Sequence, residues 1–289
     1  MNVLVTGGSG FLGGHVVPLL VERGDTVAGL VRRPEAAARI AQLGGRALAG
    51  DLDDPAGLDR AFAASGAAAL VNLASLGFGH APDIVAAAEG AGIARAVFVS
   101  TTAIFTSLTA GSKAVRLAAE EAIRGSALAW TILRPTMIYG GPDDRNMARL
   151  VRLVRRAPFV PMPGGGRGLQ QPVHVEDVAA VVVAALHAEA AVGQCYDIAG
   201  PTPLSLRDIV REAAVAVGRA PAIVPAPLGA AVASARLYER VSRQPRLRAE
   251  QVGRLAEDKV FDIEPARRDL GFDPRPFAVG IAEEAAALR

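Results

Sequence analysis

The sequence predicts an α/β fold: a doubly wound parallel sheet with a smaller mixed lobe. Three observations lead there. An apolar strand runs into a glycine turn and a helix within the first 23 residues, strand and helix patterns alternate as far as Pro135, and beyond Pro135 the alternation stops. Strands separated by helices pair in parallel, because each helix carries the chain back across a face of the sheet.

Short apolar and β-branched runs predict strands at Asn2–Thr6, Thr26–Val31, Arg46–Ala49, Ala68–Leu73, Arg95–Ser100 and Trp130–Arg134. Helical patterns fall between them at Phe11–Arg23, Pro34–Leu43, Pro55–Ala63, Pro82–Ala91 and Ser112–Ser126. Pro34, Pro55 and Pro82 stand in first turns, where a missing N–H costs nothing. Past Pro135 the run Pro142, Pro158, Pro161, Pro163 and Gly164–Gly166 predicts loops, as do Gly200–Pro203 and Pro221–Pro227. Helices are expected at Ser205–Val217 and Leu228–Ser242, and Cys195 is expected in a strand. The apolar stretch Val178–Leu186 is too short to span a bilayer and reads as a packed helix. The expected division is a dinucleotide-binding domain at 1–135, completed by parts of 170–200, and an interleaved substrate lobe at 136–289.

Composition narrows the partners. Lys and Arg total 31 against 29 Asp and Glu, a net charge of +2 with no basic run, so neither nucleic acid nor a membrane surface is implied. The single cysteine, Cys195, excludes an internal disulfide and suits a reducing compartment. A chain that opens directly on a strand carries no signal-peptide pattern, so a cytoplasmic protein is expected. The expected partner is a small-molecule substrate, and a homodimer is the assembly considered.

The first thirteen residues carry the strongest chemical signal. Val5-Thr6-Gly7-Gly8-Ser9-Gly10-Phe11-Leu12-Gly13 fits Gly8-x-Gly10-x-x-Gly13 and Gly7-x-x-Gly10-x-x-Gly13 alike. Between a strand and a helix, with a second strand following, this is a Rossmann-type dinucleotide fingerprint. Gly7 and Gly8 permit the tight turn, Gly10 close approach to a diphosphate, and Gly13 close packing of the helix on the strand; Phe11 and Leu12 open the helix whose amides face the anion. At the end of the second strand an acid would accept from the ribose 2′-OH, whereas an arginine favours a 2′-phosphate. Val31 holds the acid's position and Arg32-Arg33 follow, so NADP(H) is expected over NAD(H).

These residues, followed by Gly50-Asp51-Leu52, Asn72-Leu73-Ala74, Val99-Ser100-Thr101-Thr102, Leu133-Arg134-Pro135-Thr136-Met137-Ile138-Tyr139-Gly140, Pro172-Val173-His174-Val175-Glu176-Asp177-Val178-Ala179 and Arg267-Arg268-Asp269-Leu270-Gly271-Phe272, resemble the extended or atypical short-chain dehydrogenase/reductase superfamily of NAD-dependent epimerase/dehydratase type. The resemblance covers nearly the whole chain. It implies that Asp51 and Leu52 contact adenine and that Ala74 lines the cofactor. A competing reading of Asp51 is a helix cap shared with Asp53 and Asp54.

The same resemblance implies a tyrosine four residues before a lysine as acid/base, with a strand-end serine or threonine orienting the substrate oxygen. Here Tyr139, Tyr196 and Tyr238 are followed at that spacing by Asp143, Gly200 and Ser242. Only Lys113 and Lys259 exist. If Lys113 takes the lysine's place, Thr109 takes the tyrosine's; in another register Arg116 and Ser112 fill the two places. Thr101 matches the orienting hydroxyl, and Thr101 with Lys113 are the catalytic candidates. His174, Asp177 and Tyr139 are other acids to weigh, His174 as a structural or substrate-lining residue and Asp177 as a helix-start residue. No histidine has companions at metal-ligand spacing, so no metal is expected. Arg145, Arg149, Arg152 and the Pro161–Gly168 loop are candidate anion contacts or a solvated face. The expected function is an NADP(H)-dependent oxidoreductase or isomerase with an atypical active site; the alternatives are a non-enzymatic NADP(H)-binding sensor or assembly protein, and a nucleotide-sugar epimerase or dehydratase.

Overall fold

A computed structural model describes residues 1–107, 111–141, 143–144, 146–242, 249–254 and 256–288. Thr109, Pro142 and Arg145 lie outside the described residues. The first half alternates strictly: β1 (Asn2–Thr6), α1 (Gly13–Glu22), β2 (Thr26–Val31), α2 (Pro34–Gln42), β3 (Arg46–Ala49), α3 (Pro55–Ser65), β4 (Ala69–Asn72), α4 (Ala81–Gly90), β5 (Arg95–Val99), α5 (Gly111–Arg124) and β6 (Ala129–Pro135). The chain continues through β7 (Ile138–Tyr139), α6 (Met147–Arg156), β8 (Phe159–Pro163), β9 (Leu169–Gln170), β10 (Val173–His174), α7 (Val175–His187) and β11 (Gln194–Ile198). It ends with β12 (Leu204–Ser205), α8 (Leu206–Ala216), β13 (Ala222–Ala226), α9 (Leu228–Val241), α10 (Ala249–Arg254), α11 (Glu264–Leu270) and α12 (Phe277–Ala287).

Seven strands form one parallel sheet in the order β11-β6-β5-β4-β1-β2-β3. From β1 the chain builds toward β3 on one side, then returns to β4 and builds toward β6 on the other. The crevice between the ends of β1 and β4 is therefore the switch point at which such sheets bind ligands. Apolar side chains of α1, α2 and α7 cover one face and those of α3, α4 and α5 the other. The central strands are buried on both faces, which is why they read as continuous apolar runs in the sequence. The apolar stretch at Val178–Leu186 lies inside α7, and among the described residues no helix is long and apolar enough to cross a membrane.

Arg95 fastens α7 to the sheet. Its guanidinium donates to the Leu186 carbonyl at 3.2 Å and Thr131 Oγ1 at 2.7 Å, and also to the carbonyls of Ala185 and Ala129. A cation at a helix C-terminus meets both unpaired carbonyls and the negative end of the helix dipole.

A second core gathers Tyr139, α6, β8, α8 and α12. Here one expectation is corrected. Pro161 and Pro163 lie in β8 and Pro225 in β13, which pair with each other from Ala222↔Phe159 to Ala226↔Pro163. In a two-stranded ribbon each strand has one free edge, so a proline that cannot donate costs no ladder bond there.

Candidate functional site

The end of β1 is tied to the end of β4 before any ligand is considered. Thr6 Oγ1 donates to Asn72 Oδ1 at 2.6 Å, and Asn72 Nδ2 donates to the Ala74 carbonyl at 3.1 Å. The glycine turn sits on this crossbar. Gly7 has φ +70°, and a Cβ there would stand 2.8 Å from the Ala74 nitrogen. A Cβ on Gly13 would lie 2.2 Å from the Gly8 carbonyl oxygen. The Gly10 amide closes the turn onto the Gly7 carbonyl at 3.0 Å. At these positions only glycine lets β4 and the start of α1 pack so closely on the turn.

A cleft of about 510 Å³ opens on one side of the turn, where Gly7, Arg32, Asp51, Leu52, Ala74 and His80 meet. A second cleft of about 530 Å³ lies against the turn at Ser9, Gly10 and Phe11, bounded by Arg39 and Asp143. Arg39 bridges to Asp143 at 3.2 Å. Leu12 stands at the start of α1 and packs against the core. Arg32 is held at 3.6 Å from Asp51 and 3.4 Å from Asp53. Arg33 lines neither cleft and begins α2 instead. The helix cap is Asp54, which accepts from the Gly57 amide at 3.1 Å, leaving Asp51 to the cleft.

Beyond the end of β5 lies a third cavity of about 420 Å³. Thr102, Phe105 and Thr106 form one wall and Glu257, Lys259 and Phe261 the other. Glu257 accepts from Thr106 Oγ1 at 2.7 Å, the Ser107 amide at 2.9 Å and Ser107 Oγ at 2.5 Å. Burial opposes its charge, but these bonds hold its carboxyl below the ordinary value. Lys259 Nζ donates to Gln170 Oε1 at 3.2 Å. Sequence reasoning missed Glu257 and passed over Lys259; the one available signal was that Lys259 is one of only two lysines.

The two catalytic candidates stand beside this cavity in supporting positions. Thr101 Oγ1 accepts from the Ala103 amide at 3.2 Å and starts the turn at Thr102–Phe105. Lys113 Nζ donates to the Thr106 carbonyl at 2.6 Å. In the alternative register, Arg116 Nη1 donates to Ser112 Oγ at 2.5 Å, and its guanidinium lies where a Cβ on Gly77 would come within 3.0 Å.

Under the same wall is a buried ionic junction. Glu120 accepts from Ser100 Oγ at 2.7 Å, Arg134 Nη2 at 2.6 Å and Arg124 Nη2 at 2.9 Å. Burial works against its charge, yet the bonds from Arg134 and Ser100 keep the carboxyl below its ordinary value. The Arg134 guanidinium also sits 5.3 Å from the Phe105 ring centre.

The remaining acids are occupied elsewhere. Tyr139 is fully buried against His174 and Phe277, and its hydroxyl has no partner. Burial, with the Asp177 charge added, pushes that phenol far above its ordinary value. Tyr196 donates to Asp269 at 3.1 Å, and burial pushes it up to about 12. His174 Nδ1 accepts from the Glu176 amide at 3.4 Å and caps α7, with burial and Arg275 lowering its pKa. Asp177 is gripped by Arg275 at 2.9 Å. Among the described residues no cluster could hold a metal ion.

Comparison with known proteins agrees with this geometry. Residues 7–189 match the family model described as NAD(P)H-binding. The chain belongs to that NAD(P)H-binding family. It is 29% identical to a 4-hydroxy-2-methyl-3-oxo-4-farnesyl-3,4-dihydroquinoline-1-oxide ketoreductase of Stigmatella aurantiaca, over 95% of this chain and 92% of that one. It is 28% identical to a 2-alkyl-3-oxoalkanoate reductase of Stenotrophomonas maltophilia, over 95% of each. The structure of Thermus thermophilus UDP-glucose 4-epimerase with NAD superposes at TM-score 0.76, with 23% identity, covering 100% of this chain and 99% of that chain. That likeness bears out the doubly wound parallel-sheet fold.

Proposed function

We propose that the protein is an NADPH-dependent reductase of a ketone carbonyl on a small, largely apolar molecule. The observation that carries this reading is the glycine turn at the β1–β4 crevice, with Arg32 lining the cleft beside it. Gly7, Gly10 and the start of α1 would hold the diphosphate, Asp51 and Leu52 the adenine, and Arg32 the 2′-phosphate. Asp51 and Asp53, at 3.6 and 3.4 Å, compete with a 2′-phosphate for the Arg32 guanidinium. Bound NADPH supplies a hydride.

The chain's own part is placement. Phe105 and Phe261, 5.9 Å apart between ring centres, offer an apolar wall, and Lys259 offers an ammonium to the substrate oxygen. Thr101 and Lys113 hold the loop that carries this wall. Glu257 and Asp258 on the rim disfavour a doubly charged sugar nucleotide in the same space, which counts against the epimerase reading. The names of the two full-length relatives, both reductases of oxo groups, support the same reaction class.

Fluorescence titration with NADPH and NADH, then NADPH oxidation over a panel of 3-oxo esters and quinoid ketones, tests the proposal. Tighter NADPH binding and turnover of at least one ketone are expected. Absence of affinity for either nucleotide at millimolar concentration would overturn it, and equal or tighter NADH binding would overturn the cofactor preference. A second reading, a non-enzymatic NADP(H) sensor, is favoured by two observations: Lys113 is tied to a backbone carbonyl, and among the described residues no tyrosine lines these three cavities. NADPH binding without turnover, together with a large difference in affinity between NADPH and NADP⁺, would select it.

A further inference from the structure

A fourth cavity, of about 410 Å³, lies between α8 and β13. Neither element contributes a residue to the clefts at the glycine turn or to the cavity beyond β5. Its floor is Val210 and Ala214, both buried, with Ile223 beside them. Three arginines line it: Arg207, Arg211 and Arg219.

The arginines are unevenly matched with acids. Arg211 reaches Asp208 at 3.3 Å, and Asp208 is also bonded to Ser205. Arg207 and Arg219 have no acidic partner among the described residues, and the buried Arg207 Nε finds no acceptor. Two guanidinium groups without carboxylate partners beside an apolar floor leave the cavity electropositive. Arg207 and Arg211 are four apart on α8, so they stand on one face of the helix. Arg219 follows the turn at Gly218, where its own amide bonds back to the Ala214 carbonyl at 2.9 Å and fixes the chain at the far rim. Val215 is 73% exposed at the edge, an apolar side chain left open to water beside three cations.

We propose that the α8–β13 cavity binds a small amphiphilic carboxylate, the anion held by Arg207 and Arg219 and an aliphatic chain laid along Val210, Ala214, Val215 and Ile223. Guanidinium groups pair with carboxylates through two parallel hydrogen bonds. The apolar floor selects against a bare inorganic anion, which would leave that surface wet, and a volume in the range of ligand pockets admits a medium-length chain. The site is separate from the nucleotide clefts and holds whether or not the chain reduces a ketone.

Isothermal titration with sodium octanoate, with inorganic phosphate as the second probe, tests it on the intact chain. Saturable octanoate binding is expected, at least tenfold tighter than phosphate. R207Q/R219Q is expected to weaken octanoate at least tenfold while NADPH affinity stays unchanged. V215E, which places a carboxylate at an already exposed position, is expected to weaken octanoate similarly and leaves the core untouched. No octanoate binding at millimolar concentration, phosphate binding as tight as octanoate, or wild-type octanoate affinity in both variants would each overturn the proposal.

Discussion

A methyl group on Gly13 has nowhere to go, because the Gly8 carbonyl oxygen lies 2.2 Å from where its carbon would stand. G13A therefore forces α1 away from the turn and is expected to lower stability by about 1–3 kcal/mol. It should also abolish nucleotide binding; chemical denaturation and NADPH fluorescence check the two effects. Arg32 makes a different prediction. R32A should weaken NADPH by roughly tenfold, about 1.4 kcal/mol, while NADH changes little, since only the phosphorylated ribose uses that charge; paired titrations of both nucleotides read this directly. At this scale the strand, glycine turn and helix of the first thirteen residues were readable in the sequence, because a turn's demands are local. Arg33 adjoins Arg32 in sequence but begins α2 and lines neither cleft. Glu257 and Lys259 were not readable as site residues, because they meet Thr106 across 150 residues of chain and only the tertiary fold brings them there.

Helix α5 carries Lys113, Ser112 and Arg116, and Glu120 fixes its position against the sheet. Removing this carboxylate would leave the largely buried Arg134 only the more distant Asp197, at 3.9 Å, as a counter-charge. E120A is expected to destabilise the fold by about 3–5 kcal/mol, the usual cost of breaking a buried ion pair from one side; E120Q keeps the shape and should cost less. Urea denaturation of both variants measures the difference. Sequence patterns placed the alternating strands and helices of the first half to within a few residues, since most of them bury a continuous apolar surface. They failed at β8 and β13, where proline marked a loop by the general rule but the two-stranded ribbon left each strand an edge that needs no donor. The short pairings of β7 with β10 and of β9 with β12 hold two residues on each strand, too few for any periodicity to show.

The two cores of the molecule respond to pH in opposite senses, and this separates them experimentally. In the sheet domain Glu120 is held ionised, so its stabilising contribution is present above the ordinary carboxylate range and lost as pH falls below it. In the second core Glu284, on α12, is 1% exposed. Asp144, which already accepts the Asn146 and Ala148 amides at 3.0 and 2.8 Å, lies against it. Burial, reinforced by Asp144, raises the Glu284 carboxyl from 4.5 to about 8 against the smaller opposing pull of the Gly140 amide and Arg152. Between those values the folded chain holds one proton more than the unfolded chain, so stability falls as pH rises through the window and levels off above it. E284Q cannot ionise and keeps the volume. Relative to E284Q, the wild-type melting temperature should therefore fall by roughly 5 °C between about pH 5 and pH 8, with contributions from Glu120 and His174 common to both proteins and cancelling in the difference. Calorimetry across that range decides it: a difference that stays flat with pH would show that Glu284 is already ionised in the fold. Because α12 packs on α6 and α8, the loss should appear first in amide exchange of those helices, measured against the central strands, which Glu284 does not touch.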